Sequence, residues 1–133
     1  AYCLEAELAA TFGIRICQLE SSQVYLFKEQ SHPGRCIVAH KKHVGDMNEL
    51  TAEERAAYFE DVARVARAIM KAFNPDKVNY GAYGDTGHHL HFHLCPKYKD
   101  EYEWGGVFLM NPDKKYLTDE EYAEMIEKIK ANL

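Results

Sequence analysis

The sequence predicts an α+β fold: an antiparallel sheet of about five strands with a long helix and a C-terminal helix packed against it. Two observations point there. Runs of strand character are joined by short, turn-rich connections, which favour antiparallel neighbours. The helical segments are set apart from the strands rather than alternating with them, so a doubly wound parallel sheet is not expected. The 133 residues suit one domain, 1–133.

The elements follow in order. A short helix is expected around 3–11, ending before Gly13. "IRICQLE" and "VYLFKE" alternate or run apolar across a Ser-Ser turn and form a hairpin. "SHPGR" is a turn, with Pro33 presetting φ and Gly34 tolerating a positive φ after it. "RCIVAH" is the third strand. In "TAEERAAYFEDVARVARAIMKAF", Thr51 and Glu54 form a capping box. Tyr58, Val62, Val65, Ile69 and Phe73 then recur at helical spacing on one face, until Asn74-Pro75 stops the helix. "KVNYGAY" and "HLHFHLCPKY" are the fourth and fifth strands. A last helix starts at Thr118, with Glu121 completing another capping box, and runs through Tyr122, Met125, Ile126 and Ile129.

Composition excludes several classes. At 47% hydrophobic and 28% charged, the chain resembles a globular protein rather than a disordered one. No apolar run reaches the length of a membrane span, and no signal peptide is visible. A net charge of −5 argues against general nucleic-acid binding. Cys3, Cys17, Cys36 and Cys95 form no C-x-x-C pair and sit in apolar contexts, which points to packing in a reducing cytoplasm. One local excess of positive charge stands out: Lys28, His32, Arg35, His40, Lys41, Lys42 and His43. It reads either as a solvated loop or as an attraction for an anionic substrate.

The segment "GDTGHHLHFHLCPKY" carries the chemistry. In a strand, residues two apart share a face. His89, His91 and His93 therefore line one face, while Leu90, Phe92 and Leu94 back them on the other; His88 is out of phase and belongs to the approach turn. Three readings compete. A histidine-rich surface is the bland one, and the apolar antiphase argues against it. A metal site is the second, but three successive same-face residues of one strand do not converge easily on one ion. The third is a nucleophilic imidazole attacking phosphorus, with its neighbours supplying orientation and hydrogen bonds.

"HLHFHLC" resembles the His-x-His-x-His signature of the histidine triad (HIT) family. "PGRCIVAHKKHV" and "KVNYGAYGDTGHHLHFHLCPK" resemble the family's Pro-Gly turn, Lys-x-His segment, Asn-bearing strand and Pro-basic pair. The resemblance spans roughly residues 13–98 and implies a HIT-like α+β fold. It implies a nucleotide hydrolase or nucleotidyltransferase acting on the α-phosphate of a nucleoside phosphate conjugate, through a covalent nucleotidyl-histidine. His91 would be the nucleophile, with His89 and His93 orienting it and stabilising phosphate. Asn79 would hold ribose or phosphate, and Asp85 and Thr86 would lie in the phosphate turn. No metal or other cofactor is implied. The implied partners are the nucleotide conjugate and a second copy of the chain, joined sheet to sheet.

The chain departs from the family pattern at two points. Arg35 stands where many relatives have a histidine after Pro-Gly. It can bind phosphate bidentately but cannot shuttle a proton near neutral pH. The turn reads "GDTG" where several subfamilies have Gly-Gln-Ser/Thr. Arg35 keeps a second function open: a nucleotide-binding module with lost or weak catalysis. The aromatics Tyr98, Tyr102, Trp104 and Phe108 either cap the site or simply fold over the sheet edge, with Gly105-Gly106 allowing a sharp turn. The resemblance implies base contacts from the N-terminal strands, such as Ile14, Ile16 or Phe27.

Overall fold

The chain runs through β1 (Gly13–Gln18), β2 (Ser22–Phe27), β3 (Cys36–His40), a 3-10 turn (Met47–Glu49), α1 (Ala52–Phe73), β4 (Lys77–Gly81), β5 (His91–Lys97) and α2 (Asp119–Ala131). The computed structural model describes residues 12–83, 89–109 and 115–133. The helix expected around 3–11 lies outside them. The five strands form one sheet in the order β1-β2-β3-β5-β4, and every neighbouring pair is antiparallel. The chain leaves β3, crosses through α1 to the far edge as β4, and returns as β5 between the two.

The local signals work as the sequence suggests. Thr51 and Glu54 close a reciprocal capping box at the start of α1, and Asn74 ends the helix in the left-handed region at φ 50°. Thr118 and Glu121 form the same box on α2. Each satisfies backbone donors that the first turn of a helix leaves without partners.

The sheet has two unlike faces. On one, Val24, Leu26, Cys36, Val38 and Leu94 meet Tyr58, Val62, Val65, Ala66 and Ile69 of α1, with Tyr122 and Ile129 of α2 closing the core. Two polar ties anchor α1 in register: the Tyr58 hydroxyl donates to the Val38 carbonyl at 2.7 Å, and Asp61 accepts from the Ser21 amide and the Ser22 hydroxyl. On the other face, Tyr25, Phe27, Ile37 and Ala39 form a second buried cluster. The histidine strand runs beside that cluster.

Every strand differs at an end from the sequence reading: β1 stops at Gln18, β2 takes in Ser22 of the expected turn and stops at Phe27, β4 stops at Gly81, and two further shifts bear on the site. β3 starts at Cys36 and β5 at His91, so Arg35 and His89 flank the ladder. The reason at β5 is the curl of the chain after β3. The Leu90 amide donates to the Val44 carbonyl, while the Leu90 carbonyl accepts from His40, so regular pairing begins one residue later.

Candidate active site

The β5 register builds the site. His93 lies opposite Ile37 on one side and Gly81 on the other, and His91 lies opposite Ala39. Gly81 lets the Phe108 and Tyr83 rings close in beside His93, since a Cβ there would lie 2.7 Å from both. All three histidines are buried, and Leu90 and Leu94 belong to the core cluster on the opposite face, with Phe92 packed against it. Separation of chemistry from core by strand phase is what the two-residue spacing predicts.

The hydrogen bonds assign the ring protons. His91 Nδ1 is 2.8 Å from the His89 main-chain oxygen. A carbonyl can only accept, so Nδ1 carries the hydrogen and Nε2 presents a bare lone pair. His89 Nε2 donates to the His40 carbonyl. Its Nδ1 is buried and has no hydrogen-bond partner among the described residues. His93 Nδ1 lies 3.0 Å from Arg35 Nη2. The His91 and His93 rings meet edge to face, centroids 5.2 Å apart. Burial lowers the pKa of His91, more than its bond to His89 raises it. Burial first, and then the Arg35 charge, push His93 down to about 2. Both rings are therefore neutral at neutral pH.

Arg35 is fully buried. Its guanidinium is 4.2 Å from the Phe27 ring centroid and 5.0 Å from that of Phe108, and Nη1 donates to the Leu109 carbonyl at 3.1 Å. The geometry directs it at His93 and at protein carbonyl and aromatic groups. Gly34 makes its approach possible. It has φ +95°, and a Cβ there would lie 2.7 Å from the Phe73 ring.

The segment after β5 folds over this face. Lys97, buried, donates to the Glu103 carbonyl at 2.5 Å and the Gly106 carbonyl at 2.7 Å. His32 pairs with the Glu103 carboxylate at 2.7 Å, and the Tyr98 hydroxyl donates to the Pro33 carbonyl. Phe108 is buried, its ring centroid 6.2 Å from His93 and 6.2 Å from Tyr83. Trp104 is exposed. The aromatics thus divide: Phe108 covers the site, Tyr98 and Tyr102 pack on the Pro33 turn and His32, and Trp104 faces solvent. Gly105 takes φ +89°, as a sharp turn needs.

The sequence-named residues are dispersed as follows. Asn79 lies opposite Cys95 on β4, which puts it on the histidine face, and it lines a groove with Val78, Tyr80, Tyr83, Val107 and Phe108. Asp85, Thr86 and His88 lie outside the described residues. Of the residues expected to touch a base, only Phe27 lies on the histidine face. Ile16 belongs to the helix-side core and Ile14 packs against it. The basic stretch is not one patch: His32, Arg35 and His40 are buried, while Lys41, Lys42 and His43 are exposed, Lys42 paired with Glu54. Sequence reading missed the loop contacts of Lys97 and the His32–Glu103 pair. Lys97 carried one usable signal, a lysine on the same strand phase as the histidines.

Among the described residues, no three His, Cys, Asp or Glu side chains are grouped to hold a metal ion, and no helix is long and apolar enough to cross a membrane. Residues 14–100 match the family model described as HIT domain. The chain is 27% identical over 99 residues to an adenosine 5'-monophosphoramidase of Schizosaccharomyces pombe, covering 69% of this chain and 70% of that protein. It is 26% identical over 98 residues to a bis(5'-adenosyl)-triphosphatase of Dictyostelium discoideum, covering 70% and 65%. A solved histidine triad protein from Sinorhizobium meliloti 1021 superposes with a TM-score of 0.90 at 25% identity, over 100% of this chain and 98% of that one.

Proposed function

The chain belongs to the histidine triad (HIT) family, and from that premise we propose that it hydrolyses or transfers the nucleotidyl group of a nucleoside phosphate conjugate. The substrate is of the phosphoramidate or dinucleoside polyphosphate type, and attack falls on the α-phosphorus. The observation that carries this reading is the bond from His91 Nδ1 to the His89 carbonyl, which leaves Nε2 unprotonated. Nε2 forms the new bond to phosphorus as the bond to the leaving group breaks, and the electron pair departs with that group, which takes up a proton from solvent where it is an amine. Positive charge then spreads over the imidazole, where Nδ1–H already faces a carbonyl oxygen. Water attacks phosphorus and gives up one proton to solvent, the nitrogen–phosphorus bond breaks, its pair returns to Nε2, and a nucleoside monophosphate leaves. The relatives named as a monophosphoramidase and a triphosphatase support this substrate class.

His89 contributes its carbonyl to His91 and its own ring to the His40 carbonyl, so its role is positioning. Asn79 is proposed to bind ribose or phosphate from β4, and Asp85 and Thr86 to line the phosphate turn. None of these steps requires a metal. Homodimerisation would use the edge of the sheet, where β1 and β4 have one neighbour each. Cys17, Cys36 and Cys95 are free thiols, which suits a cytoplasmic setting.

The test is an intermediate trap. Protein is mixed with labelled nucleoside phosphoramidate or diadenosine polyphosphate, with chelator present, and quenched at high pH. Acid-labile label on His91 and released monophosphate are expected. Nucleotide affinity with no label and no turnover would establish the other reading, a binding module, which Arg35 in a histidine position keeps in play.

A further inference from the structure

We infer that Arg35 is a positioning residue that locks His93 as a neutral ring with its proton on Nε2. The inference rests on the hydrolase reading for its kinetic consequence, but not for its structural content. Arg35 Nη2 is 3.0 Å from His93 Nδ1. A guanidinium has only donors, so Nδ1 must accept, and the proton is confined to Nε2. A histidine in the Arg35 position would carry no such restriction, because imidazole can donate or accept.

The lock is built on both sides. Arg35 is held between Phe27 and Phe108, and Nη1 is fixed by the Leu109 carbonyl. His93 is held edge-on by Phe27 at 5.5 Å and by His91 at 5.2 Å between centroids. Protonating His93 would place a second cation against the guanidinium in a buried site. The other titratable groups facing the pair are His91, the Tyr83 hydroxyl, the Cys95 thiol and the Glu29 and Glu103 carboxylates. The two carboxylates favour the charge on Arg35. Burial holds Cys95 up to about 12, so it stays a thiol. His93 is thereby a fixed hydrogen-bond donor, suited to a phosphate oxygen, and it has no part in shuttling protons. This reassigns the position: Arg35 acts through His93 and does not grip phosphate itself.

The experiment is nitrogen-15 NMR of the imidazoles in the full chain, paired with kinetics. In the wild type, His93 should show bare Nδ1 and protonated Nε2, unchanged between about pH 5 and 8. A scalar coupling across the Arg35 Nη2–His93 Nδ1 bond should be present. Arg35→Met should let His93 exchange tautomers or titrate in that range, and lower kcat by about 10²-fold with little change in KM. Arg35→His should add an acid limb to the kcat profile. A wild-type His93 that titrates in that range, or an Arg35→Met protein with unchanged His93 signals and kcat, overturns the inference. The wild-type spectrum decides the tautomer even if a variant fails to fold. Expected His93 signals with no turnover on any conjugate would refute the hydrolase reading and leave this one standing.

Discussion

His91 takes its orientation from the main chain of His89, whose carbonyl oxygen lies 2.8 Å from Nδ1. Among the described residues, no carboxylate performs that task. A carboxylate would raise the basicity of the ring, whereas a neutral carbonyl orients it with a smaller effect. Burial then dominates and pulls the pKa of His91 below the ordinary histidine value.

The acid limb of kcat/KM should accordingly fall below about pH 6.5, the value for an unperturbed histidine. The measurement is a pH–rate profile of the free enzyme on an uncharged-leaving-group conjugate. A limb centred above that value would contradict a neutral, buried nucleophile.

Replacing His91 by Asn should cost at least ~10³-fold in turnover, since the covalent route is removed. Far-ultraviolet circular dichroism and the urea midpoint should change little, because His91 is on the face away from the helices. Retained turnover in a pure variant would sink the nucleophile assignment.

Stability should fall on mild acidification. Burial lowers the pKa of His32, His40, His91 and His93 in the folded state. The unfolded chain then binds more protons below about pH 6.5, so stability present above that pH is lost as pH falls. His93, at about 2 when folded, keeps contributing throughout the acid range. Each such group can add up to ~1.4 kcal/mol per pH unit below its unfolded pKa. Urea midpoints between pH 7 and 5 check this, and a flat profile would contradict it.

Gly34→Ala should destabilise by about 1–3 kcal/mol. The residue combines φ +95° with a Cβ position 2.7 Å from Phe73. Thermal unfolding measures the loss. Because Gly34 leads into Arg35, the same variant should disturb His93 signals.

Much of the fold was legible because its signals are local. Thr51 with Glu54 and Thr118 with Glu121 are three apart, and the same spacing closes both boxes in space. The triad was legible for a similar reason, since period two is a property of the strand itself. The Arg35–His93 and His32–Glu103 contacts join residues 58 and 71 apart, and nothing local announces them. Charge misled most. A run of Lys, Arg and His looks like a solvated surface in sequence, yet Arg35 and His32 are among the most buried side chains. Ile14 and Ile16 erred through phase: Ile14 pairs with Leu26 of the helix-side face and Ile16, two residues on, buries in the same core, while a bulge between Arg15 and Cys17 brings Cys17 opposite Val24.

Lys97 grips the 103–106 loop by two main-chain oxygens and none of its side chains. Any residue offers a carbonyl, so this anchor is blind to what Gly106 is replaced by, provided the path of the chain is kept. Related chains could therefore change letters such as Trp104 and Gly106 while holding the same loop shape, provided Glu103 keeps its pair with His32 and position 105 keeps its φ of +89°. Beyond those two positions, the constraint would be visible at one distant letter, the lysine at the end of the histidine strand.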